Sequence, residues 1–140
     1  MNVKELFDLK GKKAIVTGGG RGLGSFIAKG LAEAGADLVI ASRKLQNLEK
    51  EAKELQSLGV KAVPVKCDME SRDDIDNLVK TTMQEFGTID ILVNNAGITW
   101  GAPTLDFPLD KWDKIFNVNV RGLWILTQQV ANVMKTKGGG

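Results

Sequence analysis

Apolar and polar positions along the chain follow two different periods, and these periods alternate. Four short, mostly apolar runs predict buried strands, and they cover residues 12–18, 36–42, 60–65 and 89–93. Between them, apolar residues recur at spacings of three and four, which is the pattern of an amphipathic helix. The predicted helices cover residues 21–34, 45 to near 59, 72–86 and about 109–135. Strands and helices therefore alternate along the chain.

The spacings also predict which side of two helices faces the core. The first helix has an expected inner face of Leu23, Ile27, Leu31 and Ala34. The last helix has an expected inner face of Trp112, Phe116, Leu123, Leu126, Val130 and Val133. This second face requires an apolar residue at position 119, where the chain has Asn119. Because an unpaired amide there costs stability, Asn119 is either a structural hydrogen bonder at a kink or a site residue.

Strand–helix alternation with crossovers of this length predicts an α/β fold with a parallel sheet and three layers. We expect a doubly wound, Rossmann-type sheet with strand order 3-2-1-4 in one dinucleotide-binding domain that covers residues 1–140. In that order the third strand is an edge strand. Pro64 lies in this strand, and an edge tolerates a residue that has no N–H to donate.

Composition excludes several classes of function. The chain is 43% hydrophobic and 26% charged, as in a globular protein, and its net charge of +2 without a basic block argues against nucleic acid. No apolar stretch approaches the ~18 residues that span a membrane. Cys67 has no cysteine partner, which favours a reducing, cytoplasmic location. Without histidine, a metal site and histidine-based catalysis are not expected.

The stretch "TGGGRGLG" at residues 17–24 follows a predicted strand and begins a predicted helix. Helix N-termini bind phosphate because they present free N–H groups and partial positive charge. The glycines do not have the G-x-G-x-x-G spacing, and no lysine is placed as in a P-loop. Gly18, Gly22 and Gly24 instead fit T-G-x-x-x-G-x-G. We expect a dinucleotide-binding loop; the alternative is a tight turn without a ligand.

The end of the second strand bears on the choice of cofactor. An acid at this position would bind the ribose 2′-OH of NAD, but the chain has Ser42 and Arg43. A hydroxyl and a guanidinium suit the 2′-phosphate of NADP, so NADP is the expected cofactor and NAD the second choice. The alternative is that Arg43 is a solvated residue early in a helix.

Two further segments follow predicted strands at the same edge of the sheet. Asp68 could accept a hydrogen bond from an adenine amino group, or it could be an ordinary acid before a helix. The tetrapeptide "NNAG" at 94–97 could tie neighbouring loops through its asparagines and leave room for a ligand, or it could be an Asn-rich turn.

Together these motifs resemble the short-chain dehydrogenase/reductase family, over nearly the whole chain from residue 6. The resemblance rests on "TGGGRGLG", "CDM" (67–69), "NNAG" (94–97) and "NVNVRG" (117–122). The segments "ITWGAP" (98–103) and "DKWDKIFNVNVRGLW" are most similar to gluconate and sugar-acid dehydrogenases.

This resemblance implies an NAD(P)-dependent oxidoreductase that moves hydride between nicotinamide and a small-molecule alcohol or ketone. The implied cofactor-binding residues are Gly18, Gly20, Arg21, Gly22, Leu23 and Gly24 in the loop, Ser42 and Arg43 at the 2′-phosphate, Asp68 and Met69 at the adenine, and Asn95, Ala96 and Gly97 at the adenosine side. In the family, the residue that matches Asn119 is catalytic, because it helps to hold a water and a lysine in a proton relay.

One departure from the family is large. The catalytic serine and the Y-x-x-x-K tyrosine and lysine follow the last predicted helix in the family, and this chain contains no tyrosine. We therefore expect an N-terminal portion that is inactive alone and homo-oligomeric when full length, with an exposed fourth-strand edge that invites self-association. The alternative is a non-catalytic dinucleotide-binding module.

Overall fold

The computed structural model describes all residues from Met1 to Gly140. Its strands are β1 (Lys13–Thr17), β2 (Asp37–Ser42), β3 (Ala62–Lys66) and β4 (Ile91–Val93). Its helices are α1 (Val3–Leu6), α2 (Gly22–Glu33), α3 (Leu45–Gln56), α4 (Arg72–Phe86), α5 (Leu109–Phe116) and α6 (Leu123–Thr136). A π-helical segment (Asn117–Gly122) joins α5 to α6, and a 3₁₀ turn (Thr104–Asp106) precedes α5. None of the helices is both long and apolar enough to cross a membrane.

The four strands form one parallel sheet in the order β3-β2-β1-β4, which confirms the predicted topology. Val16 of β1 pairs with Ile40 on one side and with Val93 on the other. Pro64 pairs with Ile40 from the edge strand β3, as its missing N–H predicts. In a parallel sheet all strands end at the same edge, so the loops after β1, β2, β3 and β4 lie together.

Helices cover both faces of the sheet, which confirms the predicted three layers. Ile15 and Val39 belong to the core on the side of α4 and α6, whereas Val16 and Ile40 belong to the core on the side of α2 and α3. All four side chains are fully buried. Alternation along each strand therefore supplies two hydrophobic cores from one sheet, as expected of a sheet that is covered twice.

The predicted inner face of α2 is wrong at two of its four positions, whereas Leu31 packs against the core as expected. The buried residues of this helix are Gly24, Ala28 and Ala32, whereas Leu23 is 75% exposed and Ile27 is 37% exposed. Small residues at a spacing of four let the helix axis approach the sheet closely, and this contact excludes larger side chains. The apolar periodicity reflects the larger residues, so it did not indicate that the small residues face the sheet.

The predicted long helix is correct in extent but is not a continuous α-helix. Its π-helical segment adds one residue to a turn and thereby rotates the inner face. Leu126 and Val130 are buried as predicted, but Trp112 and Phe116 are about half exposed. Spacings of three and four assume a regular α-helix, so they do not predict which residues face the core on both sides of a π-helical turn.

Candidate functional site

The glycine loop makes a sharp corner between β1 and α2. Gly18 and Gly22 have φ values of +65° and +57°, which residues with a side chain rarely adopt. Gly24 is required for a different reason, because a Cβ there would collide with the Gly18 carbonyl oxygen and lie 2.6 Å from Asn95 Nδ2. The first turn of α2 is thus held directly against the end of β1.

A partly buried hydrogen-bond network joins this corner to the loop after β4. Thr17 Oγ1 accepts hydrogen bonds from the N–H groups of Asn95 (3.1 Å) and Ala96 (3.0 Å), and it lies 3.3 Å from the Val93 carbonyl oxygen to which it donates. In return, Asn95 Nδ2 donates to the carbonyl oxygens of Thr17 (3.1 Å) and Gly18 (3.3 Å). Asn95 ties neighbouring loops as the sequence suggested, whereas the part of Thr17 was not predicted.

A cavity of about 380 Å³ opens at this edge of the sheet, and we call it the edge cavity. Its walls consist of residues 17, 18, 20–24, 41–44, 47, 67–69, 95–98 and 118. All thirteen residues that the sequence predicts to bind cofactor lie on these walls, although they come from four separate loops. The seven other wall residues, which the sequence did not predict to bind cofactor, are Thr17, Ala41, Lys44, Asn47, Cys67, Ile98 and Val118.

The edge cavity is positively charged. Its charged residues are Arg21, Arg43, Lys44 and Asp68, which gives a formal net charge of +2. The three cations form no ion pair with any acid of the chain. Cations without internal partners around a concave surface favour an anionic ligand.

The end of β2 leaves space beside the glycine loop. A Cβ at Gly20 would lie 3.4 Å from Ser42 Oγ and 3.3 Å from Leu48 Cδ2, so a larger residue would fill the gap between the loop and β2. Ser42 Oγ makes no hydrogen bond within the chain and Arg43 is exposed. A hydroxyl and a guanidinium are therefore both free to bind a ligand at this end of the cavity.

Asp68 holds the loop after β3 and still has acceptor capacity. Its Oδ1 accepts from the Glu70 N–H at 3.0 Å, and its own N–H donates to Asp74 Oδ2 at 2.8 Å. Its Oδ2 has no partner within the chain. The neighbouring Cys67 is buried, and burial, together with the charges of Asp74 and Asp68, raises the pKa of its thiol to about 12. Cys67 is thus a neutral wall residue and not a nucleophile.

Asn119 lies in the π-helical segment and bonds to the loop after β4. Its Oδ1 accepts from the Ile98 N–H at 2.9 Å, and its Nδ2 donates to the Ile98 carbonyl at 2.8 Å. Both ends of the amide are engaged, and Asn119 does not itself line the edge cavity. These two bonds fix a residue of the cavity wall, and the catalytic part expected for Asn119 stays a prediction.

The π-helical segment also approaches the loop after β3. A Cβ at Gly122 would collide with the Met69 carbonyl oxygen and lie 3.0 Å from its carbonyl carbon. The glycine of "NVNVRG" therefore permits a close backbone contact, while the asparagine of the same motif reaches Ile98. One short segment thus positions two walls of the edge cavity.

Comparison with known proteins agrees with this architecture. The family model for short chain dehydrogenases matches residues 12–140. The chain is 41% identical to the 2-dehydro-3-deoxy-D-gluconate 5-dehydrogenase of Pseudoalteromonas atlantica, over 97% of this chain and 54% of that protein. It is 36% identical to the gluconate 5-dehydrogenase of Gluconobacter oxydans, over 100% of this chain and 55% of that protein.

A solved short-chain type dehydrogenase/reductase from Mycobacterium marinum superposes with a TM-score of 0.95 and 38% identity, over 100% of this chain and 57% of that one. A solved NAD+-bound xylitol dehydrogenase superposes with a TM-score of 0.91 and 32% identity, over 94% of this chain and 51% of that one. The chain spans about half the length of the curated relatives that it matches. With this family match and this fold, the chain belongs to the short-chain dehydrogenase family.

Proposed function

We propose that this chain forms the NADP-binding portion of an oxidoreductase that moves hydride between nicotinamide and an alcohol or ketone. The observation that carries the proposal is the edge cavity, where a glycine corner, unpartnered cations and an acceptor carboxylate surround one space. Family membership supports a nucleotide cofactor of the NAD(P) type. When bound, that cofactor supplies or accepts the hydride, while the residues of this chain hold and orient it.

The pyrophosphate is assigned to the glycine corner. Gly18, Gly22 and Gly24 let the backbone approach closely, and α2 directs its positive end toward the cavity. The N-cap residue, Arg21, makes no side-chain cap hydrogen bond, and the first turn of α2 contains no acid. The first N–H groups of this helix are therefore available to phosphate oxygens.

The parts of the adenosine moiety are assigned to the three other loops. Ser42 and Arg43 bind the 2′-phosphate, which makes NADP the preferred cofactor and NAD the second. Asp68 and Met69 hold the adenine, and Asn95, Ala96 and Gly97 form the adenosine side of the cavity. Free acceptor capacity at Asp68 and the absence of an acid at the end of β2 support this arrangement.

Asn119 is assigned a positioning part in the reaction, because its amide is committed to Ile98. The chain has neither tyrosine nor histidine, the usual groups for protonating an alkoxide, so it binds cofactor without turnover on its own. The names of the gluconate-type relatives favour a sugar acid as substrate of the complete enzyme.

The oligomeric state and the location of the protein are proposed from one surface feature and one buried residue. An exposed apolar stripe along α5 and α6, which includes Trp112, Phe116 and Trp124, supports a homo-oligomeric full-length protein. The single buried thiol of Cys67 supports a reducing, cytoplasmic location.

The replacement Arg43→Ala tests the cofactor assignment. We expect it to weaken NADPH binding by about 1.5–3 kcal/mol, the scale of a charged hydrogen bond, and to leave NADH binding nearly unchanged. Calorimetric titration of both cofactors measures the difference, and Arg121→Ala, at an exposed arginine outside the edge cavity, is the matched control. Equal losses for the two cofactors would refute the assignment to the 2′-phosphate.

The competing proposal is a non-catalytic dinucleotide-binding module. Its motivation is the missing tyrosine in a chain whose edge cavity is otherwise complete. Alcohol oxidation by the complete gene product separates the two proposals, since a module would bind NADPH without turnover even there.

A further inference from the structure

A second pocket of about 180 Å³ lies beside the edge cavity, and we call it the side pocket. Arg43 and Ile98 line both spaces, so the two share a wall at the adenosine end of the proposed cofactor. The opposite wall of the side pocket comes from α5 and from the segment after Ile98, neither of which belongs to the glycine corner or to the end of β2.

The side pocket is lined by three cations and no acid. Besides Arg43, these cations are Lys111 and Lys114, which are three positions apart and thus on one face of α5. Lys111 Nζ lies 4.5 Å from the centre of the Trp100 ring, and only 33% of the lysine side chain is exposed. The ammonium is held over the indole instead of extending into water.

The ion pairs that these cations form within the chain are weak. Lys111 Nζ is 3.5 Å from Asp110 Oδ2, and Lys114 Nζ is 3.7 Å from Glu70 Oε2, which is longer than a good hydrogen bond in each case. Arg43 has no ion-pair partner. Asp110 is 74% exposed, so solvent screens that pair further. The three cations thus keep most of their capacity for an external anion.

We propose that Arg43, Lys111 and Lys114 form a phosphate-monoester site at the adenosine end of the edge cavity. Arg43 offers a planar fork of donors, and the two lysines add compact charges from the facing helix. The identification of its ligand as the 2′-phosphate of NADPH rests on the proposed function. Free inorganic phosphate is the other ligand that such a site could bind. If the ligand is the 2′-phosphate, the lysines of α5 contribute to the preference for NADPH over NADH.

The double replacement K111Q/K114Q tests this site against Lys80→Gln, an exposed lysine on α4 outside both spaces. NADPH and NADH affinities are measured for the wild type and both variants. We expect the double variant to weaken NADPH binding about fivefold to tenfold and to change NADH binding less than twofold. Lys80→Gln changes neither. An unchanged NADPH-to-NADH ratio in the double variant overturns the proposal, whereas a wild type that binds neither cofactor refutes the proposed function.

A second measurement identifies the source of the phosphate and does not depend on cofactor binding. Inorganic phosphate is titrated into the ¹⁵N-labelled wild type while the indole N–H signal of Trp100 is followed by NMR. A saturable shift that is lost in K111Q/K114Q supports a site that takes phosphate itself, even if no dinucleotide binds. A shift with NADPH but not with phosphate or NADH supports the 2′-phosphate as the ligand. No shift with either phosphate or NADPH overturns the site.

Discussion

At the scale of single residues, the site depends on positions where a side chain cannot be accommodated. Gly24 lies on the buried face of α2, and its missing Cβ lets the helix rest on the Gly18 carbonyl. Gly30 lies on the same helix but is exposed, with no atom within 4 Å of the Cβ position. Gly24 therefore permits a backbone contact that a side chain would block, whereas a Cβ at Gly30 would meet no other atom.

The replacement Gly24→Ala is expected to destabilise the protein by about 1–3 kcal/mol, the usual cost of forcing extra volume into a packed site. It also displaces the first turn of α2, so NADPH binding should be lost. Gly30→Ala is the matched control, and it should stabilise the helix by about 0.5–1 kcal/mol. Urea unfolding and calorimetric titration measure both effects. Equal stability of the two variants would show that α2 does not depend on the close contact.

Most residues that line the edge cavity could be predicted from the sequence, because binding a nucleotide requires particular residue types at particular positions. Glycines at fixed spacing between a strand and a helix, and an arginine where an acid would select NAD, favoured a ligand over the alternatives of a tight turn and a solvated residue. Thr17 could not be found in this way, because a threonine at the end of a strand is ordinary β-sheet composition. Its network with Asn95 depends on β1 and β4 being neighbours, which only the sheet order establishes.

At the scale of elements, the π-helical segment connects the long helix to the cavity. Its Asn119 bonds to both backbone groups of Ile98, and Gly122 permits contact with Met69. The sequence marked Asn119 as anomalous on an apolar face but could not predict a π-helical turn. Such a turn gains its stability from tertiary contacts, so helical periodicity does not reveal it.

The replacement Asn119→Ala is expected to lower the free energy of unfolding by about 1–3 kcal/mol, because it leaves the partly buried N–H and C=O groups of Ile98 without partners. Asn117→Ala, at an exposed asparagine in the same segment, should change it by less than about 0.5 kcal/mol. Chemical denaturation compares the two variants. Similar losses at both positions would contradict a specific part for Asn119.

The orientation of α2 was predicted less well than its position in the sequence. Periodicity weights large apolar residues, yet close packing against a sheet selects small ones such as Ala28 and Ala32. Leu23 and Phe26 are left exposed by this arrangement. The existence and limits of the helix were predicted well, but its orientation depended on the helix–sheet distance, which the pattern does not contain.

At the scale of the whole molecule, the sheet order brings the parts of the site together. Residues as distant in sequence as Gly18, Ser42, Asp68 and Asn95 line one cavity, because parallel strands end at one edge. This topology followed from strand–helix alternation and from Pro64, so the gathering of these residues was predictable. The side pocket was not, because it depends on how α5 lies against the segment after β4.

The proposed function requires that the edge cavity bind NADPH. Calorimetric titration of NADPH into the purified chain, repeated with NADH and at raised salt, tests it most directly. We expect saturable binding at a single site, tighter for NADPH than for NADH and weakened by salt, because the proposed contacts to the phosphates come from cations without internal partners. Absence of binding for both cofactors at millimolar concentration would contradict it.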